Sequence, residues 1–193
     1  MIKRVVLSLF ALAQWLALTS VAIAEPRRYE LDPDQTRTSF IWFFGSDKVT
    51  GSMPPPTGDI IIDFQNERNS SVDVQIDFAN IRAGFPFATQ ALKGAKMLDT
   101  ETFPFGHYQS TSVRQSGTQA VISGNLALRD VTQPIELTAE LFRQEGAEQG
   151  DLSKIAIRMQ TSLNRNDFGV TGWADDVGPE VQLLVEAYLN QIE

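Results

Sequence analysis

Val72-Asp73-Val74-Gln75-Ile76-Asp77-Phe78 alternates an apolar residue with a polar one at every step. An extended strand points successive side chains to opposite faces, so this run makes one dry face and one wet face; on a helix the same residues would be scattered around the axis. The alternation returns in Ile155, Ile157 and Met159, set against Arg158 and Gln160. Working outward, further strands are predicted at 39–44, 58–64, 106–115, 119–128, 135–142 and 180–188, which makes about eight short strands in all.

Turn chemistry separates them: Asn66-Glu67-Arg68-Asn69, Gln115-Ser116-Gly117, Asp130-Val131-Thr132-Gln133-Pro134, and the polar stretch 144–153 with Gly146 and Gly150. Antiparallel hairpins follow, and the fold class is all-β. Eight such strands form either a sandwich or a closed barrel, and the pattern alone leaves both open. Pro54-Pro55-Pro56 reads as a stiff loop between strands. One segment departs from period two: Ala88, Ala91, Leu92 and Ala95 fall at helical spacing, followed by Met97 and Leu98, so a short amphipathic helix is expected over 88–98. It sits in a long connection, 79–104, that is too greasy for a hairpin loop and reads as a cover.

The ends and the composition restrict the function. Lys3 and Arg4 precede an apolar stretch from Val5 to about Leu18, and Ala22-Ile23-Ala24 supplies small residues for cleavage. This is the pattern of a secretory signal peptide over 1–24, leaving 25–193 as one mature domain without a membrane anchor. The chain has no cysteine, which excludes thiol chemistry, disulfides and a lipoprotein anchor. Its net charge of −8, more acidic still without Lys3 and Arg4, argues against nucleic acid and anionic membrane surfaces as partners.

Little in the chain suggests catalysis. His107 is the single histidine, and no serine lies in a Gly-x-Ser-x-Gly turn. Zinc is disfavoured, and the paired carboxylates Asp32/Asp34, Asp99/Glu101 and Asp175/Asp176 read as solvated turns, with a weak calcium site at Asp175-Asp176 as the residual. No cofactor is expected. Arg165, within Asn164-Arg165-Asn166-Asp167-Phe168-Gly169, has two readings: a loop fastener paired to an aspartate beside a tight bend at Gly169, or a guanidinium that meets a ligand's polar head.

Five further stretches stand out in order: Tyr29-Glu30-Leu31-Asp32-Pro33 with Ser39-Phe40 after it, Gly58-Asp59-Ile60-Ile61-Ile62-Asp63, the Leu92 to Asp99 segment with Phe103-Pro104 and Tyr108-Gln109-Ser110, the run from Gly124 to Ile135, and Leu163-Asn164-Arg165-Asn166-Asp167-Phe168-Gly169. In these motifs the chain resembles the YceI-like family of periplasmic polyisoprenoid-binding proteins. The resemblance implies an eight-stranded antiparallel, lipocalin-like barrel with an apolar lumen for an isoprenoid chain such as a quinone or its precursor. Departures are Gln35-Thr36 where the family commonly has His-Ser, Phe44 where it has a second histidine, Asp130 for a turn glycine, and the triple proline.

The expected function is therefore a periplasmic, non-catalytic carrier of a long apolar lipid. At about 0.3 kcal/mol per heavy atom, a forty-carbon chain would gain roughly 12 kcal/mol. Candidate lining residues are Phe40, Trp42, Phe44, Phe78, Phe85, Leu92, Met97, Phe103, Phe105 and Phe168, with Arg165 near a polar terminus and the 88–98 segment gating one end. Two other readings compete: an interaction module whose barrel is filled by its own phenylalanines, and a lipid-modifying enzyme using His107 with a neighbouring carboxylate. Association of two barrels is left open.

Overall fold

The structure is a computed structural model and describes residues 25–142, 148 and 150–192; the signal peptide expected over 1–24, and much of the turn expected over 144–153, lie outside the described residues. In chain order the elements are β1 (Arg27–Leu31), β2 (Arg37–Phe44), β3 (Asp47–Met53), β4 (Thr57–Ile62), β5 (Ser71–Asp77), α1 (Pro86–Lys93), β6 (Phe105–Ser116), β7 (Gln119–Leu128), β8 (Val131–Phe142), β9 (Lys154–Asn164) and β10 (Glu180–Ile192). The strands form one antiparallel sheet that closes on itself where β1 and the first half of β2 both pair with β10.

Two wall strands are each built from two pieces. β1 and β2 run along β10 one after the other, interrupted by a turn in which the Asp32 carboxylate accepts from the amides of Asp34 (3.0 Å) and Gln35 (3.2 Å). Thr36, 2% exposed, re-enters the ladder with its side chain: its Oγ1 accepts from Tyr188 N at 3.1 Å. β3 pairs with β2 and β4 with β1, broken by Pro54-Pro55-Pro56, whose residues have no N–H to offer a ladder. Counting each composite once gives an eight-stranded, up-and-down antiparallel barrel with one short α-helix among the described residues. The resemblance implied this closure.

Three details differ from the sequence reading. β1 and β3 are strands beyond the predicted set. The helix occupies Pro86–Lys93, and the chain from Gly94 to Leu98 continues in turns. The predicted turn at 130–134 is tighter: Leu128 pairs with Val131 around Arg129-Asp130, and Pro134 lies within β8. Pro134 is tolerated because β9 pairs with β8 only from Thr138 onward, which leaves that part of β8 without a β9 neighbour to receive an N–H.

Inward positions make the core, and large rings pack over glycines on neighbouring strands. A Cβ on Gly51 would stand 2.1 Å from Phe40 Cζ, one on Gly106 2.5 Å from Phe78 Cε2, and one on Gly124 2.6 Å from Tyr108 Cζ. At the end of the barrel carrying the β6–β7 hairpin, the interior is filled by Tyr29, Val113, Ile122, Ile155 and Leu189, and the Tyr29 hydroxyl donates to Leu152 O at 2.7 Å.

Candidate functional site: the open half of the barrel

β2 leads into the site. Thr38, Phe40 and Trp42 are its buried, inward positions, while Ser39, Ile41 and Phe43 alternate outward. Across the lumen Val74, Tyr108, Leu126 and Leu137 complete an apolar wall around a cavity of about 420 Å³. α1 with the turns that follow it to Leu98, and the segment 165–178, cover this end.

Pro86 starts the helix with a φ already suited to it, and Gly94 ends it. Thr89 Oγ1 accepts from Ala83 N (2.9 Å) and Lys93 Nζ donates to Ala79 O (2.6 Å), fastening the helix to the chain that precedes it. That chain is tied to β3 through the Ser52–Arg82 bridge.

The second cover segment is organised by Arg165, which is 6% exposed. Its Nε donates to Gly178 O (3.0 Å), Nη1 to Val170 O (2.7 Å) and Gly172 O (2.7 Å), and Nη2 to Val177 O (2.8 Å), with Met97 Sδ 3.6 Å from Nη1. The loop-fastening role expected of Arg165 is thus filled through four backbone carbonyls rather than an aspartate. Burial pushes its pKa down from the ordinary arginine value, although a guanidinium stays protonated in proteins. Gly169, at φ +70°, supplies the left-handed bend that ends the 3-10 turn Arg165–Phe168. Gly172 N then donates to Lys96 O (3.1 Å), so the two covers touch.

The mouth is rimmed by exposed rings. Phe87 is 65% exposed and meets Trp173 edge-on at 6.2 Å between centroids; Phe44 and Phe85 are also exposed.

Of the residues expected to line the lumen, Phe40, Trp42, Phe44, Phe78, Phe85, Leu92, Met97, Arg165 and Phe168 border the cavity. Phe103 and Phe105 do not: Phe103 lies under the Arg129 guanidinium, 5.9 Å from its ring centroid, and Phe105 is an outward, exposed position of β6. Sequence reasoning favoured bulky aromatics in early strands and passed over smaller inward residues of late strands, such as Met159, Leu183 and Val185. Their alternation was the available signal.

His107 faces outward from β6, its Nε2 2.6 Å from Asp73 Oδ1. The histidine, and after it Gln109, hold the Asp73 carboxyl below its ordinary pKa. This pair is on the outer wall, so His107 is not placed for acid–base work inside the lumen. Among the described residues no group of three or more His, Asp or Glu side chains is placed to hold a metal, Asp175 and Asp176 included.

A closed eight-stranded barrel with an apolar half-lumen under a helical cover defines a lipocalin-like class of protein. Residues 29–189 match the YceI-like domain model, and the chain belongs to that family. Protein YceI of Salmonella arizonae is 27% identical over 180 residues, covering 91% of this chain and 92% of the relative. Among solved structures, BcnA of Burkholderia cenocepacia superposes with a TM-score of 0.73 at 17% identity, over 82% of this chain and 98% of that one. A polyisoprenoid binding domain from Saccharophagus degradans, implicated in plant cell wall breakdown, gives 0.59 at 12% identity, over 85% and 98%. At these identities the likeness to solved structures is one of fold. No helix among the described residues is long and apolar enough to cross a membrane.

Proposed function

We propose that residues 25–193 form a secreted, periplasmic carrier domain that makes and breaks no bonds and holds a long isoprenoid-type lipid, a polyprenoid, quinone or precursor, in the open half of the barrel. The observation that carries this reading is the cavity, about 420 Å³ and walled almost wholly by apolar side chains, in a range usual for small-molecule sites. The name of the Saccharophagus relative agrees with it in ligand class.

The volume refines the expected load. A water molecule occupies about 30 Å³ of liquid, and a methylene is of similar size, so the cavity takes on the order of a dozen such groups. At about 0.8 kcal/mol per buried methylene this contributes roughly 10 kcal/mol, from which association subtracts about 4 or more, leaving binding on the order of tens of micromolar or weaker from the enclosed part alone.

Native mass spectrometry of the protein from its own periplasm, with organic extraction of whatever is released, tests the reading. A one-to-one adduct of isoprenoid mass is expected. A bare protein mass, with no uptake of added polyprenols or quinones, would overturn it in favour of an interaction module.

A further inference from the structure

Eight large apolar side chains among the described residues are exposed, and four of them, Phe44, Phe85, Phe87 and Trp173, border the lumen. These four come from three separate parts of the chain: the end of β2, the entry to α1, and the cover segment 165–178. β2 is joined to that cover segment where Phe44 bridges Val177 and Gly45 N donates to Asp176 O (2.7 Å). α1 meets it where Phe87 packs edge-on against Trp173. The rings therefore stand round one opening, and their apolar surface is continuous with the wall of the cavity.

Trp173 is held there at a cost. Its φ is +56°, in the left-handed region that an L residue with a bulky side chain rarely adopts. Its carbonyl accepts from Asp176 N (3.1 Å) and Val177 N (2.8 Å), which fixes the turn, and the residue is nonetheless 46% exposed. Glycine or asparagine would fit this backbone with less strain. A strained turn that instead carries a large, half-exposed ring points to a contact made outside the chain.

Shape and charge say what that contact is. The rings surround an opening rather than form a flat or grooved face, so a folded partner seated on them would stopper the lumen, whereas a fluid apolar phase would extend it. Charges near the rim are of both signs: Asp175 and Asp176 follow Trp173, and the cleft outside Phe85 is lined by Arg82 and Lys93 as well as Asp99 and Glu101. That is not the basic cluster an anionic surface attracts. We infer that the mouth of the barrel docks on a zwitterionic lipid bilayer, with Phe44, Phe85, Phe87 and Trp173 at the boundary of headgroups and acyl chains, a level at which exposed aromatic rings are at home. This rests on the carrier reading above and adds to it where the ligand is collected. A molecule sparingly soluble in water then passes between bilayer and lumen without crossing the aqueous phase.

The test is co-sedimentation of the protein, purified from its own periplasm, with phosphatidylcholine vesicles, together with quenching of its tryptophan fluorescence by brominated phosphatidylcholine. Residues 25–193 contain two tryptophans, Trp42 buried on the cavity wall and Trp173 at the rim. Binding is expected, with quenching that Trp173→Phe largely removes. In the double variant Phe87→Ser, Trp173→Asn the partition into vesicles is expected to fall about tenfold to thirtyfold, the worth of two partly buried rings. Asparagine accepts the left-handed backbone, and an unchanged urea midpoint shows that the fold is intact. No vesicle binding by a protein that still takes up added polyprenols or quinones, or binding that the double variant retains, overturns the inference and leaves the carrier reading standing. A preference for phosphatidylglycerol vesicles overturns it in favour of basic side chains as the anchor. A dimer in the absence of vesicles that the double variant dissolves overturns it in favour of a second copy capping the mouth. Neither vesicle binding nor uptake of any isoprenoid removes the carrier reading, and this inference with it.

Discussion

The two ends of the barrel each bury one charge without an ion of opposite sign beside it, and they solve the problem differently. At the filled end Asp63, 6% exposed, accepts from the amides of Gln65 and Asn66, both at 2.9 Å, and from Asn69 Nδ2 at 2.8 Å. All three donors lie within six residues of it. At the open end Arg165 donates to carbonyls spread over 170–178 and also meets the sulfur of Met97, which belongs to the other cover segment. Asp63 tidies one loop, whereas Arg165 gathers a whole lid. The filled end is therefore stable piece by piece, and at the open end the cover segment 165–178 depends on a single side chain, whereas α1 has fastenings of its own.

Replacing that side chain is expected to have the largest effect. Arg165→Met removes the donors of four carbonyls while keeping much of the apolar volume, and unpaired buried carbonyls cost about 1–3 kcal/mol each. A loss of about 4 kcal/mol in urea denaturation is expected; a loss under about 1 kcal/mol would mean that water replaces the guanidinium and that the lid does not depend on it. Next in size is a contrast between the ends. Leu189→Ala, at a position 2% exposed in the filled end, is expected to cost about 3 kcal/mol. Phe87→Ser, at the rim, is expected to stay within about 0.5 kcal/mol of the parent while weakening uptake of apolar ligands. Equal destabilisation by the two would erase the distinction between packed and open halves.

The smallest effect concerns pH. The Asn69 amide, followed by the amides of Asn66 and Gln65, holds the Asp63 carboxyl below its ordinary pKa. The folded value is thus lower than the unfolded one, so the stability from Asp63 is fully present above the ordinary carboxylate pKa of about 4 and is lost as pH falls through the folded value. Thermal midpoints measured from pH 5 down to 2 should decline, and the decline should be shallower in Asp63→Asn. Because Asp32, Asp73, Asp151 and Glu180 are lowered as well, part of the slope should persist. An unchanged slope would show that the Asp63 loop opens before its carboxylate titrates.

Much of the wall was legible in the sequence because a half-buried strand must alternate, as Val72 to Phe78 does. β3 escaped for a physical reason: its inward positions are Val49, Gly51 and Met53, and the middle one is a glycine whose missing side chain makes room for Phe40. Such a pattern shows an apolar site only when the ring across from it is known. The proline in β8 suggested a turn, and only the local absence of β9 permits a strand there. In the site, the unusual character of Arg165 was visible but its partners were not, since backbone carbonyls leave no mark in side-chain patterning.

With each composite counted as one strand, every ladder of the meander but the seam joins strands adjacent in the chain. At the seam β10 reaches back to the first composite strand, Arg28 lying opposite Ile192 and Glu186 opposite Arg37. The hairpins can therefore zip early and cheaply, whereas the seam waits for the last strand to arrive and bears the entropy of joining distant parts of the chain. Until then the backbone edge of β1 and β2 that faces the seam is unpaired and open to any other extended chain. For this barrel the vulnerable interval in folding is the one before closure, and its length is set by the time β10 takes to appear.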